Sequence, residues 1–294
     1  MQIERRDILL GTATAVFSAC METTSKAQNS IAPKAAIQKI SSQEGIIPGK
    51  NLKEKLDNLE KWGFDGIEFW GGGLRARVPA IKAEMKGRPI QMAATCAGFE
   101  GALMSDQQSE RDKALRTIKD IMEVAADLGS TGMIIVPAFN AQTKLNHIEG
   151  RKILMDLLPL VGEHGVRVGS RVLLEPLNRS EAWFLRQVAD AGAICHEINS
   201  PGVCLMGDMY HMYIEEPSDM GAFISGAAWL HHVHLASIKR NLPGQDARDF
   251  RNGFKGLKMV GYQDFMSLEC GVIGDRMVEI PKAVKFLRQQ WAEA

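Results

Sequence analysis

Four segments in the second half of the chain each place a carboxylate or an imidazole at the end of a run of apolar residues. An apolar run of about four to six residues is typical of a buried strand in a parallel sheet, which presents the next polar side chain where the strand ends. Such strand ends share one edge, so the four side chains are expected to converge there. Three carboxylates and one imidazole favour a divalent ion such as Mn²⁺ or Mg²⁺ over a zinc–thiolate site. The four residues are Glu175, Asp208, His234 and Glu269.

The elements that must position these residues alternate strand and helix from residue 35 onward. Eight strand–helix units in about 260 residues are typical of a (β/α)₈ barrel, whose catalytic groups lie at the carboxyl ends of the strands. We therefore predict an α/β fold of this type, a TIM barrel, as a single domain over residues 34–294. The predicted strands are 37–40, 64–70, 89–94, 133–137 and the four segments above, and the predicted helices are 52–62, 109–128, 151–164, 184–198, 220–230, 254–261 and 276–291.

Composition excludes some classes of partner. The 294 residues include 35 Lys and Arg and 35 Asp and Glu, so the formal net charge is zero. A chain with this balance has no net positive charge to attract nucleic acid or an anionic membrane surface. The five cysteines form no CxxC pair, which favours free and mostly buried thiols over a disulfide framework or a thiolate metal site.

The first 33 residues are interpreted as an export signal and leader. Arg5 and Arg6 precede an apolar stretch at 8–19, which is too short to span a bilayer. The paired arginines resemble a twin-arginine signal, which would export the folded protein. A weak lipobox ending in Cys20 leaves a lipid anchor open as an alternative. The predicted location is therefore periplasmic or membrane-anchored, and no later segment is long and apolar enough to be a transmembrane span.

Four motifs, taken in order, resemble one family. They are Leu174–Glu181 with the sequence LEPLNRSE, Asp208–His211 with DMYH, His232–His234 followed by Arg240, and Ser267–Glu269 with SLE. Together they resemble the xylose isomerase-like barrel family, and within it the ketose 3-epimerase and sugar-phosphate isomerase/epimerase group. The resemblance covers essentially the whole chain after the leader.

The resemblance implies a role for each matching residue. Glu175, Asp208, His234 and Glu269 would be metal ligands, with Mn²⁺ favoured and Mg²⁺, Co²⁺ or Zn²⁺ as alternatives. Glu181, His211 and Arg240 would contact oxygens of a small carbohydrate substrate. A divalent cation polarises a ketone and stabilises the enediolate formed when the neighbouring carbon loses a proton. Epimerisation needs a base on each face of that carbon, and Glu175 and Glu269 are the two predicted bases.

Several expectations are less specific. His232 is expected to be a core histidine, the helix 151–164 to end at Gly165, and Gly71-Gly72-Gly73 to form a flexible loop over the barrel mouth. His211 and Arg240 have structural alternatives, as a packed histidine and an ordinary surface arginine. A homo-oligomer is left open.

Three classes of function are weighed. The first is a metal-dependent isomerase or epimerase of a small carbohydrate. The second is a metal-dependent lyase, hydratase or deglycosidase acting on 3-keto-glycosides, which begins with the same proton abstraction and which export makes more attractive. The third, an abasic-site nuclease of the same superfamily, draws histidines for its zinc cluster from early strands. It is rejected because no histidine precedes His147 and the net charge is zero. A non-catalytic sugar-binding barrel is disfavoured by the intact acid–base pair.

Overall fold

Eight parallel strands form a nearly closed barrel in the computed structural model, which describes residues 34–294. The strand order around the sheet is β1-β8-β7-β6-β5-β4-β3-β2. The strands are β1 Lys39–Ser42, β2 Gly66–Trp70, β3 Gln91–Cys96, β4 Met133–Ile135, β5 Val172–Leu174, β6 Val203–Asp208, β7 Leu230–Leu235 and β8 Phe265–Leu268. The predicted TIM barrel is confirmed. The predicted leader, with Arg5, Arg6 and Cys20, lies outside the described residues.

The barrel approaches closure between β1 and β2. β1 pairs with β8 in parallel, and a single parallel bridge joins Gln43, just after β1, to Glu68 in β2. The backbone N–H of Glu44 donates to the carbonyl of Glu68 at 2.9 Å, and that of Asp65 donates to the carbonyl of Ile40 at 2.7 Å. These contacts place Gln43 and Glu68 side by side at the strand ends.

Helices follow the strands around the outside. Within residues 34–294 they are α1 Leu52–Trp62, α2 Leu74–Met85, α3 Gln108–Leu128, α4 His147–Val168, α5 Val188–Ile198, α6 Met209–Glu215, α7 Asp219–Gly226, α8 Arg251–Met259 and α9 Arg276–Glu293. None of the helices in this range is long and apolar enough to cross a membrane. The four cysteines of the described range are free, as predicted.

The prediction that a helix ends at Gly165 is wrong. α4 does not end at Gly165 but continues to Val168 and is closed by Gly169, whose φ is +77°. Gly165 is needed for close packing instead, since a Cβ there would lie 2.8 Å from the carbonyl oxygen of Ser170. Gly71 likewise packs against a neighbouring loop, where a Cβ would lie 2.3 Å from the carbonyl of Ala97. Gly73 is the N-cap of α2, so the three glycines lead directly into a helix.

Alternation along each strand separates two sets of side chains. In β5 and β6 one set, such as Val172 and Leu205, packs outward with the helices in the main core. The other set forms a separate small apolar cluster, to which β5 contributes Leu173 and β6 contributes Met206. Since successive side chains of a strand point to opposite faces, the second set faces the barrel interior. Glu175 and Asp208 each lie two positions beyond a residue of this set and therefore face inward as well.

Candidate active site

Four predicted ligands converge at the carboxyl end of the barrel. Glu175 and Glu269 directly follow β5 and β8, Asp208 ends β6, and His234 lies near the end of β7. One ligand atom from each lies within 4.8 Å of the others. Asp208 and His234 are fully buried, and Glu175 is nearly so. The convergence expected from the strand pattern is observed.

Two buried atoms of this cluster have no hydrogen-bond partner, namely Asp208 Oδ2 and His234 Nδ1. His234 Nδ1 lies 3.5 Å from Glu175 Oε1 and 3.2 Å from Glu269 Oε2. A buried polar atom without a partner costs about 1–3 kcal/mol, and a bound cation would satisfy both atoms at once. Three carboxylates and an imidazole also suit a divalent cation with a preference for oxygen and nitrogen ligands. The donor set therefore fits a divalent metal ion.

The electrostatics of the cluster favour the same ligand. Burial, followed by the charge of Glu269, raises the pKa of Asp208 to about 8. Burial also raises the pKa of Glu175 above its ordinary value. It acts in the same direction on Glu269, but the positive charges of His234 and Arg240 hold that pKa below its ordinary value. Concentrated negative charge of this kind is relieved either by protons or by a cation.

His211 is held in one tautomer beside the cluster. Its Nδ1 accepts from the backbone N–H of Asn178 at 3.2 Å, so the proton of the neutral ring is on Nε2. Burial, with the charge of Arg240, lowers the pKa of His211 to about 3, which keeps the ring neutral. His211 Nε2 lies 3.1 Å from Arg240 Nη1, so the imidazole and the guanidinium are in contact at the edge of the site. Such a pair suits an oxygen acceptor from a substrate.

Arg240 belongs to the site and is not an ordinary surface arginine. Its Nη2 donates to Glu269 Oε2 at 2.6 Å and its Nη1 lies 3.7 Å from Glu181 Oε1. The guanidinium also lies over the ring of Tyr210, 4.8 Å from the centroid. Arg240 has a φ of +56°, a conformation that residues other than glycine rarely adopt and that clusters at functional sites.

Glu181 lies farther out on the same rim. Its side chain is 40% exposed and accepts from Asn178 Nδ2 at 3.0 Å. The three residues predicted to contact substrate, Glu181, His211 and Arg240, therefore lie along one side of the ligand cluster. Their contact with a substrate remains a prediction.

Sequence reasoning missed Glu68 on β2. This carboxylate is fully buried and accepts from His232 Nε2 at 2.8 Å. His232 is buried as expected. Glu68 also contacts His234, so His232 is connected to the ligand cluster through Glu68. The available signal was a glutamate inside the run Ile67-Glu68-Phe69, because a charged residue buried in a strand requires a partner.

The chain belongs to the xylose isomerase-like TIM barrel family, whose model matches residues 56–290. It is 30% identical over 239 residues to the 3-dehydro-D-guloside 4-epimerase of Escherichia coli K12, covering 79% of this chain and 91% of that one. It is 28% identical over 227 residues to a probable ketose 3-epimerase of Synechocystis, covering 74% and 78% of the two chains.

A crystal structure of an E. coli 3-keto-D-glucoside 4-epimerase in its apo form is also similar. It superposes with a TM-score of 0.80 at 28% identity, covering 86% of this chain and all of the other. The D-psicose 3-epimerase of Clostridium cellulolyticum H10 gives a TM-score of 0.79 at 18% identity, with 86% and 99% covered. At that identity the second likeness concerns the fold alone.

Proposed function

We propose that the protein is a divalent-metal-dependent epimerase of a small carbohydrate that inverts the carbon next to a ketone. The observation that carries this proposal is the pair Glu175 and Glu269, a buried and a half-buried carboxylate that both approach the unpartnered Nδ1 of His234. The names of the relatives describe epimerases of ketoses and of keto-glycosides, which supports the same reaction class.

Glu175, Asp208, His234 and Glu269 would hold the ion. When bound, a divalent cation supplies the Lewis acidity that polarises the substrate carbonyl. Glu175 and Glu269 then act as the acid–base pair, one taking the proton from the carbon and the other returning a proton to the opposite face. His211 and Arg240 direct N–H groups at a substrate oxygen.

A keto-glycoside is the substrate class proposed first, and a free ketose is the second. The relative at 30% identity is named for a dehydro-guloside, and the solved structure at 28% identity is named for a keto-glucoside. In both substrate classes the reacting C–H is next to a carbonyl, so the same pair of carboxylates serves either. The scaffold does not by itself distinguish them, because likeness of fold does not define a substrate.

The assay follows the reaction by NMR in D₂O with the purified protein and Mn²⁺. Epimerisation gives a new diastereomer carrying deuterium at the inverted carbon. Release of the aglycone would instead support the lyase or deglycosidase alternative, which begins with the same proton abstraction. Absence of exchange, inversion and release with both 3-keto-glycosides and free ketoses would contradict the proposed function.

Arg240→Ala and His211→Ala are expected to lower turnover without loss of metal binding. Each removes an N–H donor aimed at developing negative charge, a loss that typically costs about 10²- to 10³-fold in rate. Removal of Arg240 frees Glu269 Oε2 but also takes away a positive charge 3.7 Å from Asp208 Oδ2, and because these two effects on a bound cation oppose each other, Mn²⁺ affinity is expected to stay near that of the unmodified protein. Steady-state kinetics and Mn²⁺ titration check the two parts. Loss of Mn²⁺ affinity in either variant would instead make that residue part of the ion-binding set, and unchanged kinetics would remove it from the substrate site.

We also propose export through a twin-arginine signal. A reporter protein fused after residues 1–35 is expected to cross the cytoplasmic membrane, and Arg5→Lys with Arg6→Lys is expected to block it, because that route requires the arginine pair. Fractionation of the cells measures the result. Export that survives the double change would indicate a general secretory signal. Fatty-acid labelling that disappears in Cys20→Ala would show a lipid anchor.

A further inference from the structure

We propose that Glu68 is a positioning residue that, together with Gln43, sets the orientation of His234 and Glu269. The inference rests on the metal centre proposed above, and neither Glu68 nor Gln43 belongs to the four-residue ligand set. Glu68 is fully buried on β2, which is not one of the strands β5–β8 that position the four ligands. A carboxylate in that position requires strong partners to offset its loss of water.

Glu68 has three partners, all of them hydrogen-bond donors. His232 Nε2 lies 2.8 Å from Glu68 Oε2, and His234 Nε2 lies 3.3 Å from Oε1 and 3.2 Å from Oε2. The side-chain amide of Gln43 donates to Oε1 at 2.9 Å. The fully buried carboxylate thus accepts hydrogen bonds from two imidazole rings and one amide.

The contact with His234 determines which of its nitrogens faces the ligand cluster. Because the Glu68 carboxylate accepts a hydrogen bond from His234 Nε2, the proton of a neutral His234 ring is held on Nε2. The lone pair of Nδ1 is then directed toward Glu175 and Glu269. A carboxylate behind a ligating imidazole fixes both its tautomer and its ring orientation, and makes it a stronger base toward a cation. Glu68 stands in that relation to His234.

Gln43 extends the arrangement to Glu269. Its Nε2 donates both to Glu68 Oε1 at 2.9 Å and to Glu269 Oε1 at 2.8 Å, so one NH₂ group joins the two carboxylates. The other oxygen of Glu269 accepts from Arg240. Glu269 is therefore held through both oxygens. The backbone bridge between Gln43 and Glu68 at the gap between β1 and β2 holds these two residues side by side.

Two other roles fit the contacts less well. Glu68, His232 and His234 are close enough to hold an ion of their own. Yet both oxygens of Glu68 and the Nε2 atoms of both histidines are already hydrogen-bonded, and the unpartnered nitrogen of His232, Nδ1, is not among these contacting atoms. A purely structural ion pair would explain the burial of Glu68. It would not require the amide of Gln43 to reach one of the proposed bases.

The test is Mn²⁺ titration of the purified protein and of Glu68→Gln. The amide NH₂ of the variant must face at least one of the three donors, so His234 loses its fixed orientation. Mn²⁺ affinity is expected to fall by about 10- to 100-fold. Asp264→Asn is the matched control, since it weakens another histidine–carboxylate bond, from His231 Nδ1 to Asp264 Oδ2 at 2.7 Å, and is expected to bind Mn²⁺ like the unmodified protein.

Two further measurements keep the inference testable if Glu68→Gln does not fold. Gln43→Met removes both donated bonds and is expected to weaken Mn²⁺ binding toward the lower end of that range, about tenfold. Histidine-selective ¹⁵N NMR of the unmodified protein with Zn²⁺ is expected to show His234 protonated on Nε2.

Loss of a hydrogen-bond partner of a metal ligand typically lowers metal affinity by about tenfold or more. The inference would be overturned if Glu68→Gln folds and its Mn²⁺ affinity is within about threefold of that of the unmodified protein. A proton on Nδ1 of His234 in the Zn²⁺-loaded protein would also overturn it. Absence of Mn²⁺ binding by the unmodified protein would be a different result, since it contradicts the metal centre itself.

Discussion

Glu175→Gln and Glu269→Gln are each expected to reduce epimerisation by about 10²- to 10⁴-fold, the usual contribution of a positioned acid–base group. Each change keeps the shape of the side chain but removes its ability to accept or donate a proton at pH 7. Inversion requires both groups, because the proton leaves one face of the carbon and another returns to the opposite face. The rate of formation of the second epimer, followed by NMR, measures the loss.

Deuterium exchange separates this mechanism from simple loss of metal. In a two-base site, each glutamine variant retains one base and should still exchange the proton of one epimer with D₂O without inverting it. The two variants should differ in which epimer they exchange. Glu181→Gln is a suitable control, because Glu181 is a half-exposed rim residue expected to affect the Michaelis constant more than the rate. Full activity in either Glu175→Gln or Glu269→Gln would refute the two-base mechanism.

The ligand cluster was predictable because each of its members obeys a local rule. Glu175 and Asp208 follow apolar runs, and the alternation along a parallel strand decides which face they occupy. The barrel then brings the strand ends together, whatever the distance between them in sequence. This is why residues as far apart as Glu175 and Glu269 could be assigned to one site from the sequence.

The parts that sequence reasoning missed depend on contacts between distant segments. Glu68 lies inside a strand rather than after it, and its partners are Gln43, just after β1, and His232 on β7. Gly165 resembles a helix stop, yet its role is close approach to Ser170, which becomes visible only when the segment after α4 is in place. α2 was missed because its sequence has little apolar periodicity, with Leu74 and Ile81 as its buried residues, and a proline inside it.

Asp208→Asn and His234→Ala are expected to weaken Mn²⁺ binding by more than about 100-fold, the upper limit for losing only a partner of a ligand. Asp208→Asn should do so without disturbing α6, because the oxygen that accepts from the N–H of Tyr210 at 2.7 Å is retained. Isothermal titration measures the affinity. Either variant binding Mn²⁺ like the unmodified protein would remove that residue from the ligand set.

Thermal unfolding gives an independent measure of the same site. An ion that binds only the folded state at 100 times its dissociation constant stabilises it by about 2.7 kcal/mol. Mn²⁺ should therefore raise the melting temperature of the unmodified protein and have little effect on either variant. In chelator-treated protein, Asp208→Asn should have a higher melting temperature than the unmodified protein. The reason is that the amide replaces a carboxylate that is costly to bury when it is charged.

The cost of burying Asp208 should make the stability of the metal-free protein depend on pH. The pKa of Asp208 is raised from 3.8 to about 8 in the folded protein, so between these values the folded state keeps a proton that the unfolded chain has lost. The contribution of this group to the free energy of unfolding is fully present below 3.8 and is lost as the pH rises through about 8. Denaturant unfolding should show a shallower decline with pH in Asp208→Asn than in the unmodified protein. Mn²⁺ should abolish the decline in the unmodified protein, because an ion that requires the charged carboxylate replaces the proton.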